Sequence, residues 1–390
     1  MALFEFGEYW DTPTFLLLLA IAVVVAFLCR AGVKQKSPLA IEVVPDCRVV
    51  LPRTGLFFAG LVLAFFYGFR SINVGADTET YVQWFLDSVR FVPEPLQNYL
   101  LLRVTEPLYT VFTFLCRQLT ENYTVYFCII GVFLAYSIVR FVSDFYGKDS
   151  DVSGVLFLLA FVSSFRYCLS ALRFAISMGW VLLSLCALAK RKYGKAVLLT
   201  IVSFFFHYTS IVNLVFIFYM LVLEWYEKKR IKPSWMFLIT GAGIAATVMA
   251  VKVMAALLSD SKYQSYLDSG GNILGYWSLL LSVAVSVAVL IVIRPTETPA
   301  KITALVCIFN FVLMIAALLS GAYRLTSYYA IARLHIWDYA LTQLKKRVPV
   351  HHHPFYNIAA VLGVLFLLLF TLGRNSATMG FAYEFVWQTQ

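Results

Sequence analysis

The stretch PLYTVFTFLCRQL, residues 107–119, decides how many times this chain crosses a membrane. It is apolar, but it is only 13 residues long and carries Arg117 near its end. An α-helix needs about 20 residues to span the hydrocarbon core of a bilayer. We therefore predict that 107–119 forms an interfacial or re-entrant helix that does not cross, and this choice sets the orientation of every later segment.

The composition of the whole chain indicates a polytopic membrane protein. Of 390 residues, 61% are hydrophobic and 13% are charged, which is more apolar surface than a water-soluble core can bury. The net charge of +10 comes from short clusters between apolar runs, so it indicates membrane topology and no nucleic acid partner. The seven cysteines have no metal-ligand spacing, and the sequence has no glycine-rich nucleotide motif in a suitable context.

Outside 107–119, about twelve apolar runs have the character of membrane helices. We predict an all-α fold of about twelve transmembrane helices in a single transmembrane domain, residues 1–390. Residues 71–122 form a non-cytoplasmic amphipathic loop that contains the interfacial helix. The predicted spans are 14–29, 55–70, 123–142, 152–167, 172–189, 196–208, 210–225, 235–255, 276–293, 302–320, 326–344 and 355–373.

The distribution of Lys and Arg supports this topology. If 107–119 does not cross, the loops on one side and their borders hold 20 of these residues, and the opposite side holds 9. Short cytoplasmic loops are enriched in Lys and Arg, so the side with 20 is assigned to the cytoplasm. Both chain termini and the 71–122 loop then face outward.

Several ionisable side chains gather at the outward helix ends, where a charge needs an explanation. Arg166 and Arg173 are seven residues apart, which places both on one face if a single helix runs through them. Two guanidinium groups can hold a pyrophosphate, or they can mark a helix end and reach the interface. Arg324 and Tyr328 lie one α-helical turn apart at another outward helix end.

Asp77 and His207 are the two candidate bases. Asp77 follows Arg70 in RSINVGADTETYVQWF, residues 70–85. It is either the N-cap of a helix or a general base or counter-ion of a nearby arginine. His207 falls at the tight outward turn of the apolar hairpin 196–225, where it either takes a proton from a sugar hydroxyl or satisfies backbone groups of the turn.

Five segments together resemble a known family. They are RSINVGADTETYVQWF (70–85), EPLY (106–109), LRFAISMG (172–179), FFFHYTSIV (204–212) and YRLTSYY (323–329). In this order, among about a dozen spans, they resemble the EpsG-like branch of Wzy-type polysaccharide polymerases, the family of O-antigen polymerases. The resemblance covers most of residues 55–340.

The resemblance implies an enzyme of the bacterial cytoplasmic (inner) membrane with a membrane-embedded, GT-C-like glycosyltransferase architecture. It implies polymerisation of repeat units carried on undecaprenyl pyrophosphate at the outer, periplasmic face, without a metal or other cofactor. A chain-length regulator protein is an expected partner beside the lipid-linked donor and acceptor glycans. The positions that match family motifs are Gly75 and Asp77 (a GxD-type motif), Arg173, His207, and Arg324 with Tyr328, while Phe174 stands where the family often has Gln.

We therefore predict a glycan polymerase in which Asp77 or His207 deprotonates the attacking hydroxyl. The predicted substrate- and pyrophosphate-binding residues are Arg70, Arg166, Arg173, Arg324 and Tyr328. Two alternatives stay open. Arg324 and His335, separated by ten residues, are compatible with a membrane O-acyltransferase, and a lipid-glycan flippase would need no catalytic residue. A flippase would be favoured by internal repeats with broken helices, which the sequence does not show.

Overall fold

The computed structural model describes residues 12–34, 39–44, 47–51, 54–75, 77–88, 106–147, 168–229, 232, 241, 245, 249, 277–320, 323–374 and 383–388. The α-helices in these ranges are α1 (Thr12–Lys34), α2 (Thr54–Gly68), α3 (Thr78–Leu86), α4 (Pro107–Leu119), α5 (Tyr123–Phe145), α6 (Leu172–Ala189), α7 (Tyr193–Phe206), α8 (Val212–Glu227), α9 (Trp277–Ala288), α10 (Thr298–Ser320), α11 (Ala330–Arg347) and α12 (His353–Arg374). A π-helical turn, Val289–Ile293, extends α9, and 3₁₀ segments cover Tyr208–Ile211, Tyr323–Tyr329, Val350–His352 and Val386–Gln388.

The described residues are predominantly helical, as predicted, and a short β-hairpin lies between α1 and α2. Strand β1, Leu39–Val44, pairs antiparallel with strand β2, Cys47–Leu51, and the register is irregular near the turn. The hairpin lies in the loop assigned to the cytoplasm. Its sequence carries β-branched residues on both sides of Pro45 and Asp46, which are turn-forming residues. That local pattern favours a hairpin, but a search for apolar runs long enough to span a membrane does not detect it.

Ten of the twelve predicted spans coincide with helices in the described part of the chain, and α6 has the predicted bounds of 172–189. The runs 152–167 and 235–255 lie outside the described residues, apart from 241, 245 and 249 in the second run, which are helical. Among the described residues, five helical stretches are long and apolar enough to cross a membrane: Leu16–Lys34, Tyr123–Phe145, Leu172–Ala189, Tyr208–Glu227 and Thr298–Ile315. The count of twelve spans and the GT-C-like architecture remain predictions.

Helix α4 has the predicted bounds, beginning at Pro107 and ending at Leu119. Proline suits the first position of a helix because its missing N–H would have no partner there. Thirteen residues give a helix about 20 Å long, shorter than the roughly 30 Å hydrocarbon core. One side of α4 is buried against α3 and α7, while Leu119 is exposed. The length is consistent with an interfacial position, which stays a prediction.

Small polar residues join α6 to α7 in the centre of the bundle. The hydroxyl of Ser177 lies 2.7 Å from that of Ser203, and the hydroxyl of Ser184 donates to the carbonyl of Ala196 at 3.0 Å. Small residues let helix backbones approach closely, and hydroxyl groups then bond across the interface. Because α6 and α7 are consecutive and antiparallel, this contact places the start of α6 beside the end of α7.

Helices α1 and α2 cross at two glycines, so α2 lies close against α1. A Cβ atom built on Gly55 would be 2.5 Å from the backbone nitrogen of Gly32 and 2.4 Å from the carbonyl oxygen of Leu28. No larger residue fits at that crossing without moving the helices apart. The crossing lies at the end of α2 opposite to Arg70.

The C-terminal segment 383–388 covers the end of α2. The backbone nitrogen of Ser71 donates to the carbonyl of Glu384 at 2.8 Å. The backbone nitrogen of Tyr383 donates to the hydroxyl of Thr14 at 2.6 Å, near the start of α1. The start of α1, the end of α2 and the C-terminal segment therefore meet at the same end of the bundle.

Candidate functional site

A buried carboxylate joins two of the predicted site residues. Glu106 accepts a hydrogen bond from Nη1 of Arg173 on Oε2, and its Oε1 lies 2.8 Å from Nδ1 of His207. The exposed fractions are 2% for Glu106, 7% for Arg173 and 6% for His207. Nε of Arg173 also donates to the hydroxyl of Tyr81 at 3.3 Å. We refer to Glu106, Arg173, His207 and Tyr81 as the Glu106 cluster.

Four elements each supply one member of the cluster. Arg173 is the second residue of α6, and Tyr81 lies in the first half of α3. Glu106 and His207 have extended backbones, Glu106 just before α4 and His207 just after α7. His207 therefore occupies the tight turn where the sequence placed it. The antiparallel contact between α6 and α7 brings Arg173 and His207 to the same end of the bundle.

The cluster holds the Glu106 carboxyl in its charged form. Burial alone would raise the pKa of Glu106, but the hydrogen bond with His207 and the positive charge of Arg173 outweigh it. The pKa of this carboxyl therefore lies below its ordinary value of 4.5. Removing one partner of a buried ion pair of this kind strongly destabilises the folded protein, because the remaining charge stays buried.

Aromatic side chains enclose the cluster. The guanidinium carbon of Arg173 lies 5.2 Å from the ring centroid of Trp84, within the range of a cation–π contact. The ring of Tyr328 lies 6.4 Å from the ring of His207 and 4.7 Å from that of Phe174. Tyr328, a predicted site residue, is therefore placed beside the cluster, where its hydroxyl is 2.8 Å from that of Thr209 on the same turn as His207.

The loop that contains the GxD-type motif, Gly75 to Asp77, positions α3 against the start of α6. Gly75 has a φ of +104°, which disfavours any residue with a side chain, and an added Cβ would lie 2.8 Å from the carbonyl oxygen of Leu169. The hydroxyl of Thr78 donates to the same carbonyl at 3.3 Å. This contact fixes α3, and with it Tyr81, next to Arg173.

Asp77 occupies the N-cap position of α3, as one of its two interpretations predicted. Its side chain is half-buried, and it makes no capping hydrogen bond. Within the described residues, the Asp77 carboxylate makes no hydrogen bond to the Glu106 cluster. Its role as a base stays a prediction.

Arg70 is enclosed inside the bundle. Its guanidinium lies between the rings of Tyr67 and Phe127, 4.2 and 4.1 Å from their centroids, and Nη1 donates to the carbonyl of Tyr67. The side chain has no exposed surface in this structure. Cation–π contacts on both faces can hold a buried guanidinium without a carboxylate. Binding of pyrophosphate by Arg70 stays a prediction, and it requires the covering C-terminal segment to move.

Two other predicted arginines lie wholly or partly outside the described part of the chain. Arg166 lies outside the described residues, but the backbone at Ala171 is not helical, so no single helix carries both Arg166 and Arg173. Arg324 lies in the 3₁₀ segment Tyr323–Tyr329, and its side chain is not described. Binding of pyrophosphate by Arg324 stays a prediction.

His335 belongs to the other end of the bundle. Its Nδ1 lies 2.9 Å from the hydroxyl of Thr303, and its ring contacts Phe145 at the end of α5. Tyr126, which bonds to α4 beside the cluster, precedes Phe145 by 19 residues of the same helix, about 28 Å of rise. The structure thus separates His335 from the Glu106 cluster.

Glu106 is the carboxylate of the cluster, and the sequence analysis did not single it out. EPLY contributed to the family resemblance, but Glu106 received no role. Its partners are 67 and 101 residues away in sequence, so no local spacing reveals them. The available signal was a lone carboxylate directly before an apolar helix, in a chain with only 21 acidic residues.

The cluster offers groups for proton transfer and for anion binding. An imidazole can take or give a proton near neutral pH, and a guanidinium can stabilise a phosphate oxygen. In the ranges that the structure describes, no three His, Cys, Asp or Glu side chains are arranged to hold a metal ion.

Comparison with protein families matches residues 54–385 to the EpsG family, a range that contains the whole Glu106 cluster. The chain belongs to the EpsG family. EpsG-like proteins are relatives of Wzy-type polymerases, and membership supports a polysaccharide polymerase-like role. Membership and the five long apolar helices together indicate a membrane protein. Neither the curated proteins nor the solved structures contain a match to this EpsG-family chain.

Proposed function

We propose that this EpsG-family protein joins undecaprenyl-pyrophosphate-linked repeat units into an O-antigen or related surface polysaccharide. In this proposal, the polymerisation reaction takes place at the outer, periplasmic face of the bacterial cytoplasmic membrane. The observation that carries the proposal is the contact of Arg173 and His207 with one buried carboxylate, inside the family match and at the end of the bundle assigned outward by Lys and Arg counts. A chain-length regulator is proposed as a partner from family resemblance.

The proposed reaction is a glycosyl transfer. A hydroxyl oxygen of the acceptor unit attacks the anomeric carbon of the donor chain and forms the new glycosidic bond. The bond between that carbon and the pyrophosphate oxygen breaks, and its electron pair leaves with undecaprenyl pyrophosphate. The hydroxyl proton passes to the protein, and His207 is the proposed base.

Arg173 is proposed to stabilise the charge that develops on the leaving pyrophosphate. Fixed cations act most strongly in a site that excludes water, and the aromatic wall around Arg173 provides such a site. Because Arg173 and His207 are almost fully buried, binding of the lipid-linked donor must shift at least one of the four elements that form the cluster.

Asp77 is kept as the competing base, and the remaining arginines as secondary pyrophosphate contacts. Asp77 is half-buried and near the surface of the same end, so it is accessible without rearrangement. Arg324 is proposed to contact the donor from its family motif alone, and Arg166 from its predicted position at an outward helix end. Tyr328 has structural support, since it lies beside His207.

A deletion strain tests the proposed function through the length of its surface glycan. We expect loss of long chains with single repeat units retained. Loss of acyl groups with normal chain lengths would instead indicate an O-acyltransferase, and loss of all exported glycan would indicate a flippase. Either result overturns the polymerase assignment.

Complementation with variants then assigns the residues. Arg173→Ala should give only single units, and Arg173→Lys should restore polymer partly, because an ammonium lacks the planar bidentate donors of a guanidinium. Asp77→Asn keeps the size of the side chain at the N-cap position and removes the charge, while His207→Gln keeps hydrogen bonding and removes the titrating imidazole. Single units with His207→Gln and polymer with Asp77→Asn would assign the base to His207; the reverse assigns it to Asp77. The exposed His351→Gln is the matched control.

A further inference from the structure

We propose that Glu106 is a positioning residue that fixes which nitrogen of His207 carries the proton. This role rests on the proposed function, in which His207 takes the proton of the acceptor hydroxyl. Neutral imidazole has one N–H and one basic nitrogen, and the partner of one nitrogen determines the state of the other. Glu106 contacts Nδ1, so the basic nitrogen left for the substrate is Nε2.

The assignment follows from counting donors and acceptors. An ionised carboxylate has two oxygens and no donor. Oε2 of Glu106 accepts from Arg173, and Oε1 lies 2.8 Å from Nδ1 of His207. A contact of this length with a carboxylate requires a hydrogen on Nδ1. The lowered pKa of Glu106 supports the ionised state on which the count depends.

The surroundings of His207 contain no second carboxylate among the described residues. The charged and titratable groups that the neighbouring elements place in the cluster or beside the ring are Glu106 just before α4, Arg173 from α6, Tyr81 from α3 and Tyr328 from the 3₁₀ segment. Glu106 is the one anion in this set, and it contacts the imidazole directly. The tautomer of His207 should therefore respond to Glu106 more than to any other group of the set.

The variant Glu106→Gln should invert the tautomer while keeping the shape of the site. A glutamine side chain has one acceptor oxygen and one NH₂ donor. Arg173 has only donors, so the amide oxygen must face Arg173 and the NH₂ group must face His207. Nδ1 of His207 then has to accept, which moves the proton to Nε2 and removes the basic nitrogen from the substrate side.

Solid-state NMR of the full chain, labelled with ¹⁵N-histidine and reconstituted in phospholipid vesicles, measures the tautomer without any substrate. The chain has five histidines, and the signal absent from the His207→Gln spectrum assigns His207. We expect protonated Nδ1 and unprotonated Nε2 in the wild type near neutral pH, and the opposite pattern in Glu106→Gln. Glu121→Gln, an exposed carboxylate at the other end of α4, is the matched control and should leave the signal unchanged.

Glycan chain length in complemented cells is the second readout, and we expect only single units with Glu106→Gln. A wild-type spectrum with protonated Nε2 would overturn the positioning role even if the variant failed to accumulate. An unchanged spectrum in Glu106→Gln would overturn it as well. An inverted tautomer in Glu106→Gln with normal chain lengths would confirm the positioning role but remove His207 from the proposed chemistry. Failure of the positioning role and failure of His207 as the base therefore give different results.

Discussion

Replacing Glu106 by alanine removes the one carboxylate that the described residues place against Arg173 and His207. Arg173 is then left as a buried cation without its anion, and breaking a buried pair in this way typically costs about 3–5 kcal/mol. We therefore expect Glu106→Ala to lower the free energy of unfolding by at least about 3 kcal/mol. The effect should greatly exceed that of an exposed carboxylate.

The ion pair at the C-terminal end of α4 provides the comparison. Arg117 and Glu121 lie 3.4 Å apart, and the exposed fractions of their side chains are 14% and 64%. Because the Glu121 carboxylate lies largely in water, its interaction with Arg117 is screened, and Glu121→Ala should change stability by about 1 kcal/mol or less. If charge is the cause, replacing Arg173 by methionine in the Glu106→Ala background should recover about 1 kcal/mol or more, because no buried cation remains.

Detergent-induced unfolding of the purified protein measures these differences. Trp84 lies 5.2 Å from the guanidinium of Arg173, so tryptophan fluorescence includes a reporter at the cluster itself. A value for Glu106→Ala within 1 kcal/mol of the value for Glu121→Ala would refute the argument, since it would show that the Glu106 carboxylate is not a partner of a buried charge.

Three further predictions test the electrostatics, the packing and the topology. The wild type should be more stable than Glu106→Gln above pH 4.5, and the difference in stability should shrink as the pH falls through the lowered pKa of Glu106, because the native carboxyl then also becomes neutral. Thermal unfolding at several pH values measures this difference, and a difference independent of pH would contradict the prediction. Gly75→Ala should cost more than about 1 kcal/mol, because the left-handed backbone and the lack of space both oppose a Cβ, whereas Gly194→Ala, with nothing within 4 Å, should be tolerated in the same assay. Reporter fusions at Asn122 and Lys148 should lie outside and inside the cell, and a cytoplasmic reporter at Asn122 would overturn the orientation.

Apolar runs predicted the long helices well because burial in lipid and helix formation depend on the same local property. The run 172–189 became α6 with the same bounds, and 107–119 became α4. The hairpin 196–225 turns at His207, as its polar interruption indicated. Local hydropathy was thus sufficient to place most of the helices and one member of the site.

Features that depend on local dihedral angles or distant contacts were not predicted. The spacing of Arg324 and Tyr328 was interpreted as one α-helical turn, but the backbone of Tyr323–Tyr329 is a 3₁₀ helix. Glu106 was missed because its significance arises only when the fold brings the residue before α4 to the start of α6 and the end of α7. A carboxylate before a helix start is ordinary in sequence, and only the fold shows that it is buried between a guanidinium and an imidazole.

Reconstitution of the reaction from purified components tests the central claim most directly. Lipid-linked repeat units that accumulate in the deletion strain are extracted and mixed in vesicles with the purified protein, without nucleotide sugar. The proposed function predicts a ladder of longer lipid-linked glycans with the wild type and single units only with Arg173→Ala. No ladder with correctly folded wild type, or an equal ladder with Arg173→Ala, would contradict a polymerase that works through the Glu106 cluster.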